Sequence, residues 1–318
     1  MTNNSSVDGK SFIRKINDKV IIVQILVVIF LCINFVLITT FFMKEIFYTN
    51  MRYILFANTL FCDCTNLVIT NILLNLSYFA VPIPLWLCII LFIVSSLCNF
   101  VTPLTLTAMS LERYVAICKP LSHAELITSS RALQGILLIN CLSIIPFIVI
   151  LLLFFSSVSL SLLKHFVVCS VEMFILYRWQ SDVRSAISQL YFLIMCILIA
   201  FSYIQIMKVA KAASGENKES VRKGLRTVIL HAFQLLLCLM QLWTPFIEAA
   251  IIQINLSLFV NIRYLNYIFF NLAPRCLSPL IYGLRDEAFL LALKHKVFGS
   301  KKKLRKERGK RKKLNLLR

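Results

Sequence analysis

Residues 64–111 read CTNLVITNILLNLSYFAVPIPLWLCIILFIVSSLCNFVTPLTLTAMSL and contain no Asp, Glu, Lys or Arg. A helix crosses the hydrocarbon core of a bilayer with about 20 mostly apolar residues, because in lipid every backbone polar group must be hydrogen-bonded within the segment. This stretch is too long for one crossing, and Pro82 and Pro84 interrupt it where a tight turn between two helices would lie. It therefore predicts two consecutive transmembrane helices.

The composition of the whole chain agrees with this interpretation. Of its 318 residues, 59% are hydrophobic and 15% are charged, whereas soluble domains have about 45–50% apolar and about 25% charged residues. This composition excludes an ordinary water-soluble protein. With only seven Gly and eight Pro, the chain is also neither collagenous nor of low complexity.

Seven stretches have the length and hydropathy of a membrane-crossing helix, and we number them the first to seventh spans in chain order. Four contain no charged side chain: residues 20–43, 85–111, 132–163 and 185–207. Three contain one each: residues 53–79 with Asp63, residues 227–254 with Glu248 and residues 264–284 with Arg275. The sequence therefore predicts an all-α fold, a seven-transmembrane helical bundle at residues 20–284.

The distribution of basic residues predicts the orientation of this bundle. With the N-terminal tail (residues 1–19) outside, 25 of the 34 Lys and Arg lie in inner segments and eight in outer ones. Positive charge accumulates on the cytoplasmic side, so we expect an extracellular N-terminus. In that tail, Asn3 and Asn4 match the glycosylation pattern. The net charge of +20 is then a membrane signal, and we expect no nucleic-acid partner.

The chain after the seventh span divides into two parts. Residues 285–298 place apolar side chains at helical spacing with Lys294 and Lys296 between them, which predicts an amphipathic helix lying along the inner leaflet. Residues 299–318 form a basic cytoplasmic tail. This tail either binds anionic lipid of the inner leaflet, or is solvated, or serves as a retention signal.

Three motifs carry a resemblance to a known family. ERYVAICKP stands at residues 112–120, LWTP at residues 242–245 and SPLIYGLRD at residues 278–286. Their order and depth across seven spans resemble the rhodopsin-like (class A) G-protein-coupled receptors. Within that superfamily, MSLERYVAICKPLSH at residues 109–123 and SYI at residues 202–204 are similar to odorant receptors of the fish-type branch.

The resemblance implies a function and a location. Such a receptor lies in the plasma membrane, binds a small-molecule odorant between the outer halves of its helices, and activates a heterotrimeric G protein of the stimulatory, cAMP-raising class. It is not an enzyme and needs no cofactor or metal. Matching by offset gives the ligand-binding residues Ser95, Ser96, Asn99, Phe100, Ile187, Tyr191, Trp243, Phe246, Ile247, Ala250, Tyr267, Ile268 and Asn271.

These walls are mostly apolar, which suits a small, weakly polar ligand. Amine receptors place a carboxylate where this chain has Ser95, so an amine ligand is disfavoured unless Glu248 supplies the charge. Glu248 either reaches the cavity or is paired or protonated against a neighbouring helix.

The resemblance also implies a set of activation and G-protein-coupling residues: Asn34, Asp63, Glu112, Arg113, Tyr114, Tyr203, Pro245, Arg275, Pro279 and Tyr282. Glu112 would hold Arg113 in the inactive state, and on activation Arg113 would turn toward Tyr203 and Tyr282.

Asp63 matches the superfamily's buried sodium site, together with Asn34 and Thr102. A buried carboxylate is costly unless it is paired, and Arg275 falls at the same depth of the seventh span. We therefore hypothesise that the guanidinium replaces the sodium ion and pairs with Asp63. The alternative is that Arg275 faces another carboxylate or water.

Cysteine positions suggest one disulfide. Cys88 begins the third span at its outer end and Cys169 lies in the loop after the fourth span. Only the outer side is oxidising enough to keep a disulfide, and a Cys88–Cys169 bond would hold that loop over the mouth of the bundle.

Other classes fit less well. A transporter would show internal repeats or Gly/Pro-broken helices in matching halves, and an intramembrane hydrolase would need clustered catalytic side chains, whereas the four His are scattered. A non-olfactory, orphan or constitutive receptor of the same class remains the main alternative, and a ligand panel with a cAMP readout would separate it from an odorant sensor.

Overall fold

The computed structural model of the chain describes residues 18–120, 129–157, 163–169, 174, 177–212, 216–252, 254–277 and 289–296. The expectations for Asn3, Asn4, Pro279, Tyr282 and the basic tail lie outside the described residues.

The described residues form a helical bundle with seven membrane-length helical runs. In chain order its elements are α1 (Asp18–Phe41), α2 (Glu45–Thr49), α3 (Met51–Tyr78), β1 (Pro82–Pro84), α4 (Leu85–Cys118), α5 (Ser129–Ser157), β2 (Phe166–Val168), α6 (Arg178–Ala212), α7 (Glu216–Ile252) and α8 (Leu256–Asn266). A π-helical segment (Tyr267–Leu272) continues α8, and residues 273–277 remain helical. Residues 289–296 form a further helix, α9.

The seven spans correspond to α1, α3, α4, α5, α6, α7 and the continuous helical run of residues 256–277. Within the described residues, the helices of the first five spans are each long and apolar enough to cross a bilayer. The sixth span contains the apolar segment Val228–Gln241. All of these helices lie at the places where the hydropathy predicted them.

The helix ends differ from the predicted ends because hydropathy marks only the membrane core of a helix. The sixth span begins at Glu216 and the third continues to Cys118, both beyond the apolar stretch. The start of the seventh span also differs, since it begins at Leu256, eight residues before the predicted start at residue 264. There Asn255 Oδ1 accepts a hydrogen bond from the Leu258 amide at 3.3 Å and caps the helix.

The predicted tight turn at Pro82 and Pro84 is instead a short strand. Ala80 adopts a left-handed conformation with φ 51° and turns the chain out of α3. Pro82–Pro84 then pairs antiparallel with Phe166–Val168 in the outer loop. Proline has no N–H and is confined to sheet edges, and a two-stranded sheet consists only of edges. The bundle therefore carries a small two-stranded antiparallel sheet at the end where the third span begins.

The third span lies at the centre of the bundle. It packs against the second, fourth, fifth and sixth spans. By contrast, large apolar side chains on the peripheral helices, such as Val28 and Leu137, are exposed, as expected of surfaces that face lipid. The centre of the third span is therefore the place where polar side chains of several helices can meet.

Candidate functional site

An ion pair lies in the middle of this apolar bundle. Asp63 on the second span is fully buried and Arg275 on the seventh is 4% exposed. Arg275 Nη1 lies 3.7 Å from Asp63 Oδ1, and Thr102 of the third span donates a hydrogen bond to the same oxygen at 3.1 Å. The structure thus brings together the two charges that the sequence hypothesis paired, with Thr102 beside them.

The guanidinium of Arg275 also binds two amides. Its Nη2 donates to Asn99 Oδ1 at 2.8 Å. Its Nε donates to the Asn271 backbone carbonyl at 2.9 Å and to Asn271 Oδ1 at 3.2 Å. A charge buried in an apolar interior is tolerated when its donors are satisfied in this way. Arg275 consequently links the second, third and seventh spans.

Asn66 belongs to this cluster although the sequence reasoning missed it. It is fully buried, its side-chain amide lies 3.0 Å from Ser95 Oγ, and it also contacts Asn99 and Arg275. Asn66 follows Asp63 by three residues, and residues three apart share a helix face. That spacing of an amide behind a buried carboxylate was the signal that could have revealed it.

The sixth span joins the cluster through two glutamines that were also missed. Gln241 donates to Asn99 Oδ1 at 3.3 Å, and the buried Gln234 donates to the Pro274 carbonyl at 3.0 Å, one residue before Arg275. Two glutamines seven residues apart lie on one face of a helix. We call Asp63, Asn66, Ser95, Asn99, Thr102, Gln241, Asn271 and Arg275 the polar core.

Five of the predicted ligand-binding residues form two groups in the structure. Ser95, Asn99 and Asn271 are members of the polar core. On the fifth-span side, the Tyr191 ring meets Phe100 edge-on at 5.5 Å between centroids, and its hydroxyl donates to the Leu142 carbonyl at 2.7 Å. The set therefore combines hydrogen-bonding groups at the polar core with an aromatic wall.

Among the other predicted ligand residues, Tyr267 contacts the second span. The Tyr267 hydroxyl is 3.4 Å from Thr70 Oγ1. Half-buried residues of this set are Ser96, Ile187 and Ile268. The Phe246 side chain lies outside what the structure describes.

The structure places three sixth-span ligand candidates on an exposed face. Trp243 is 46% exposed and Ile247 is 37% exposed, and Ala250 is also exposed. At 100° per residue, Trp243 points about 200° away from Gln241. Because Gln241 points toward the polar core, Trp243 on the opposite face of the same helix points away from it.

Glu248 is paired with the seventh span. Its Oε1 accepts a hydrogen bond from Asn266 Nδ2 at 3.1 Å, and its Oε2 lies 3.9 Å from Arg263 Nε. Of the two possibilities left open by the sequence, the structure shows the pairing with a neighbouring helix. This pair lies near the outer ends of the sixth and seventh spans.

At the opposite end of the bundle, which the charge distribution predicts to be the inner end, three spans are closed by an apolar cluster. Ile206 and Val228 are fully buried, and Tyr114 packs against them. Beside it, Arg113 Nε lies 3.4 Å from Glu112 Oε2, the intramolecular pair that the sequence comparison expected. Tyr203 is 37% exposed there.

Pro245 and Asn34 are the other activation candidates among the described residues. Pro245 stands within α7, which remains helical through it. Asn34 is fully buried, and within the described part of the chain its amide makes no hydrogen bond to the polar core.

The outer end is tied by the expected disulfide. Cys88 and Cys169 are bonded, with their Cα atoms 5.6 Å apart. The Leu85 amide also donates to the His165 carbonyl at 2.9 Å. Under the loop, Phe174 is buried and stacks on Phe92 with centroids 4.4 Å apart. Residues 163–169 and 174 of this loop are therefore fixed to the start of the third span.

Comparison with known proteins identifies the family to which this architecture belongs. Residues 20–282 match the 7 transmembrane receptor (rhodopsin family). The chain is 42% identical over 299 residues to zebrafish (Danio rerio) Odorant receptor 131-2, covering 93% of this chain and 91% of the relative. It is 28% identical over 201 residues to human Olfactory receptor 51V1, covering 59% of each chain. The chain belongs to the rhodopsin family of seven-transmembrane receptors and, within it, to the odorant receptors.

Proposed function

We propose that this chain is an odorant receptor of the plasma membrane that binds a small, weakly polar molecule and raises cAMP through a stimulatory G protein. The observation that carries the proposal is the 42% identity to a zebrafish odorant receptor over 93% of the chain. Ligand binding and G-protein coupling in a membrane are general to the family. What we propose for this chain in particular is a small, weakly polar ligand, a stimulatory G protein and a location in the plasma membrane.

The polar core offers a route from a bound ligand to the rest of the bundle. Ser95 and Asn99 are ligand candidates that also hydrogen-bond within the polar core. A ligand hydroxyl or carbonyl that binds Ser95 or Asn99 would compete with Asn66 or Arg275. Because a buried polar group must keep a partner, Arg275 would then exchange hydrogen bonds and shift the seventh span.

The signalling step takes place at the inner apolar cluster. For a G protein to enter, Val228 on the sixth span must separate from Ile206 on the fifth and from Tyr114 on the third. Arg113 then leaves Glu112 and faces the opened pocket, with Pro245 as the hinge of the sixth span. The ligand shifts this equilibrium by binding the open state more tightly.

Two observations support an extracellular N-terminus. Inner segments carry 25 Lys and Arg and outer segments carry eight. The Cys88–Cys169 disulfide lies at the end of the bundle where the third span begins, and disulfides persist on the oxidising side.

The experiment is a panel of small, weakly polar molecules applied to cells that express the receptor, with cAMP as the readout. The matched variants are Ser95→Ala, which removes one ligand donor, and Arg113→Ala, which removes the signalling guanidinium, compared at equal surface expression. We expect a stimulus-dependent rise in cAMP, a weaker potency for Ser95→Ala and no response for Arg113→Ala. High cAMP that no molecule changes would instead favour the constitutive receptor.

A further inference from the structure

The fourth span has a proline, Pro146, in the interior of its helix. Proline carries no amide hydrogen, so the Leu142 carbonyl four residues earlier loses the donor that an α-helix would supply. A backbone carbonyl without a donor is costly in the hydrocarbon core, because lipid offers no replacement. The fourth span must therefore obtain a donor for this carbonyl from a side chain.

That donor comes from the fifth span. The Tyr191 hydroxyl donates a hydrogen bond to the Leu142 carbonyl at 2.7 Å. The fourth span supplies no hydroxyl of its own at this place, since Ile145 stands three residues after Leu142 and Ser143 Oγ donates to the Ile139 carbonyl. The bond therefore joins the fourth and fifth spans at the point where the proline interrupts the helix ladder.

The sixth span solves the same problem within its own helix. Pro245 leaves the Gln241 carbonyl without its amide donor, and Thr244 Oγ1 donates to that carbonyl at 2.8 Å. Thr244 stands three residues after the freed carbonyl, which is the position that Ile145 has in the fourth span. A hydroxyl thus replaces the missing amide at both prolines, but at Pro146 it comes from a neighbouring helix.

The bond to the fourth span fixes the place of Tyr191 in the proposed ligand cavity. Its ring meets the buried Phe100 edge-on at 5.5 Å between centroids, and it packs against the apolar cluster that includes Met195 and Leu235. A ligand that took the hydroxyl would leave the Leu142 carbonyl without a donor. The hydroxyl is therefore not available to a ligand, whereas the ring is.

We propose that Tyr191 determines the size of the ligand and does not hydrogen-bond to it. Its hydroxyl is occupied by the carbonyl that Pro146 frees, and its ring limits how far a ligand extends toward the fourth span. The proposal rests on the proposed function, since it requires a ligand cavity bounded by Phe100 and Tyr191. Polar groups of the ligand are then recognised at the polar core, and its apolar part lies against this aromatic wall.

The first test is the melting temperature of the purified receptor without ligand. Tyr191→Phe deletes only the hydroxyl and should lower the melting temperature by about 2–4 °C, whereas the control Tyr177→Phe, at an exposed tyrosine, should not change it. Ile145→Thr places a hydroxyl where the sixth span has Thr244, and Pro146→Ala restores the amide itself. In either background, Tyr191→Phe should cost less than half as much as in the parent. No loss in the parent, or an equal loss in all three backgrounds, would overturn the proposal.

The second test is the cAMP response to straight-chain alcohols from butanol to decanol, compared at equal surface expression. Tyr191→Phe should keep the preferred chain length of the parent, with potencies within about threefold. Tyr191→Leu makes the wall smaller and should shift the preference toward longer alcohols.

Two results of this second test would overturn the proposal. A potency loss of about tenfold or more for every alcohol in Tyr191→Phe would mean that the hydroxyl binds the ligand. An unchanged preference in Tyr191→Leu would mean that the ring does not limit ligand size. A parent receptor that responds to no alcohol contradicts both the proposed ligand class and the size limit, whereas the melting temperatures need no ligand and decide the role of the hydroxyl separately.

Discussion

At the scale of single residues, the environment of Arg275 explains why a charge is tolerated inside the bundle. Its guanidinium has a carboxylate at 3.7 Å and two amide side chains within 3.2 Å. The desolvation of two buried charges is offset only when their remaining donors and acceptors find partners. The surrounding amides are therefore as necessary to the pair as the two charges themselves.

Thr102 supplies one of these partners, and its removal should be measurable. Thr102→Val keeps the shape of the side chain but deletes the 3.1 Å hydrogen bond to Asp63. A hydrogen bond to a charged group is worth about 1.5–3 kcal/mol, so the purified receptor should melt at a lower temperature. Thr59→Val is the control, because the buried Thr59 hydroxyl bonds only to the Leu55 carbonyl of its own helix turn. Equal melting of the two variants would argue against a role for Thr102.

At the scale of elements, the π-helical segment of the seventh span stands directly before Arg275. Tyr267–Leu272 form wider turns than an α-helix, and such segments occur often at functional sites. Hydropathy predicted a helix here, but it cannot distinguish an α-helix from a π-helix. A π segment changes the rotation of the residues that follow. The depth of Arg275 in the sequence was therefore enough to predict its pairing with Asp63 but not its hydrogen bonds to Asn99 and Asn271.

The closed inner end makes a prediction about basal activity. Val228 is fully buried against Ile206, and Val228→Ala removes about 1–2 kcal/mol of packing from the closed state. If the open state lacks this contact, the open population should rise about fivefold or more, and cAMP without ligand should rise with it. Ile229→Ala serves as the control, because Ile229 is 46% exposed. Basal cAMP that is equal in both variants would mean that this contact does not hold the receptor closed.

The outer disulfide makes a prediction about stability. Cys88 and Cys169 are 81 residues apart in the chain, and loss of a native disulfide typically costs about 2–5 kcal/mol. Cys88→Ser and Cys169→Ser should each reduce surface expression, and the double variant should lose no more than either one. Cys141→Ser is the control, since Cys141 is an exposed free thiol. Losses that add in the double variant would contradict a shared bond.

At the scale of the whole molecule, the sequence predicted the helices better than the contacts. Hydropathy located the seven spans because lipid imposes one length and one composition on every crossing. It missed Gln234 and Gln241, because a buried amide in a span cannot be told from a lipid-facing one without its neighbours. Asn66 was missed although its spacing from Asp63 could have revealed it. Trp243 was placed among the ligand residues by its offset in the family match, whereas the rotation of the sixth span decides where that ring points.

The orientation of the whole molecule can be tested at its first residues. An extracellular N-terminus exposes Asn3 and Asn4 to glycosylation. The receptor from animal cells should shift in apparent mass on treatment with an N-glycosidase, and the Ser5→Ala/Ser6→Ala variant, which breaks both acceptor patterns, should not shift. Ser257→Ala, which breaks the acceptor pattern at Asn255 close to the membrane, is the control and should leave the shift intact. A mass unchanged by the enzyme in every sample would remove the support for this orientation.

The most direct test of the account is the coupling between Asp63 and Arg275, measured as the melting temperatures of the purified receptor and three variants. Arg275→Leu removes the guanidinium from a buried carboxylate, which costs about 3–5 kcal/mol, so this variant should melt far below the parent. Adding Asp63→Asn removes the charge that was left behind. The double variant Asp63→Asn/Arg275→Leu should therefore melt above Arg275→Leu. Additive losses, or an unchanged melting temperature for Arg275→Leu, would contradict the pairing.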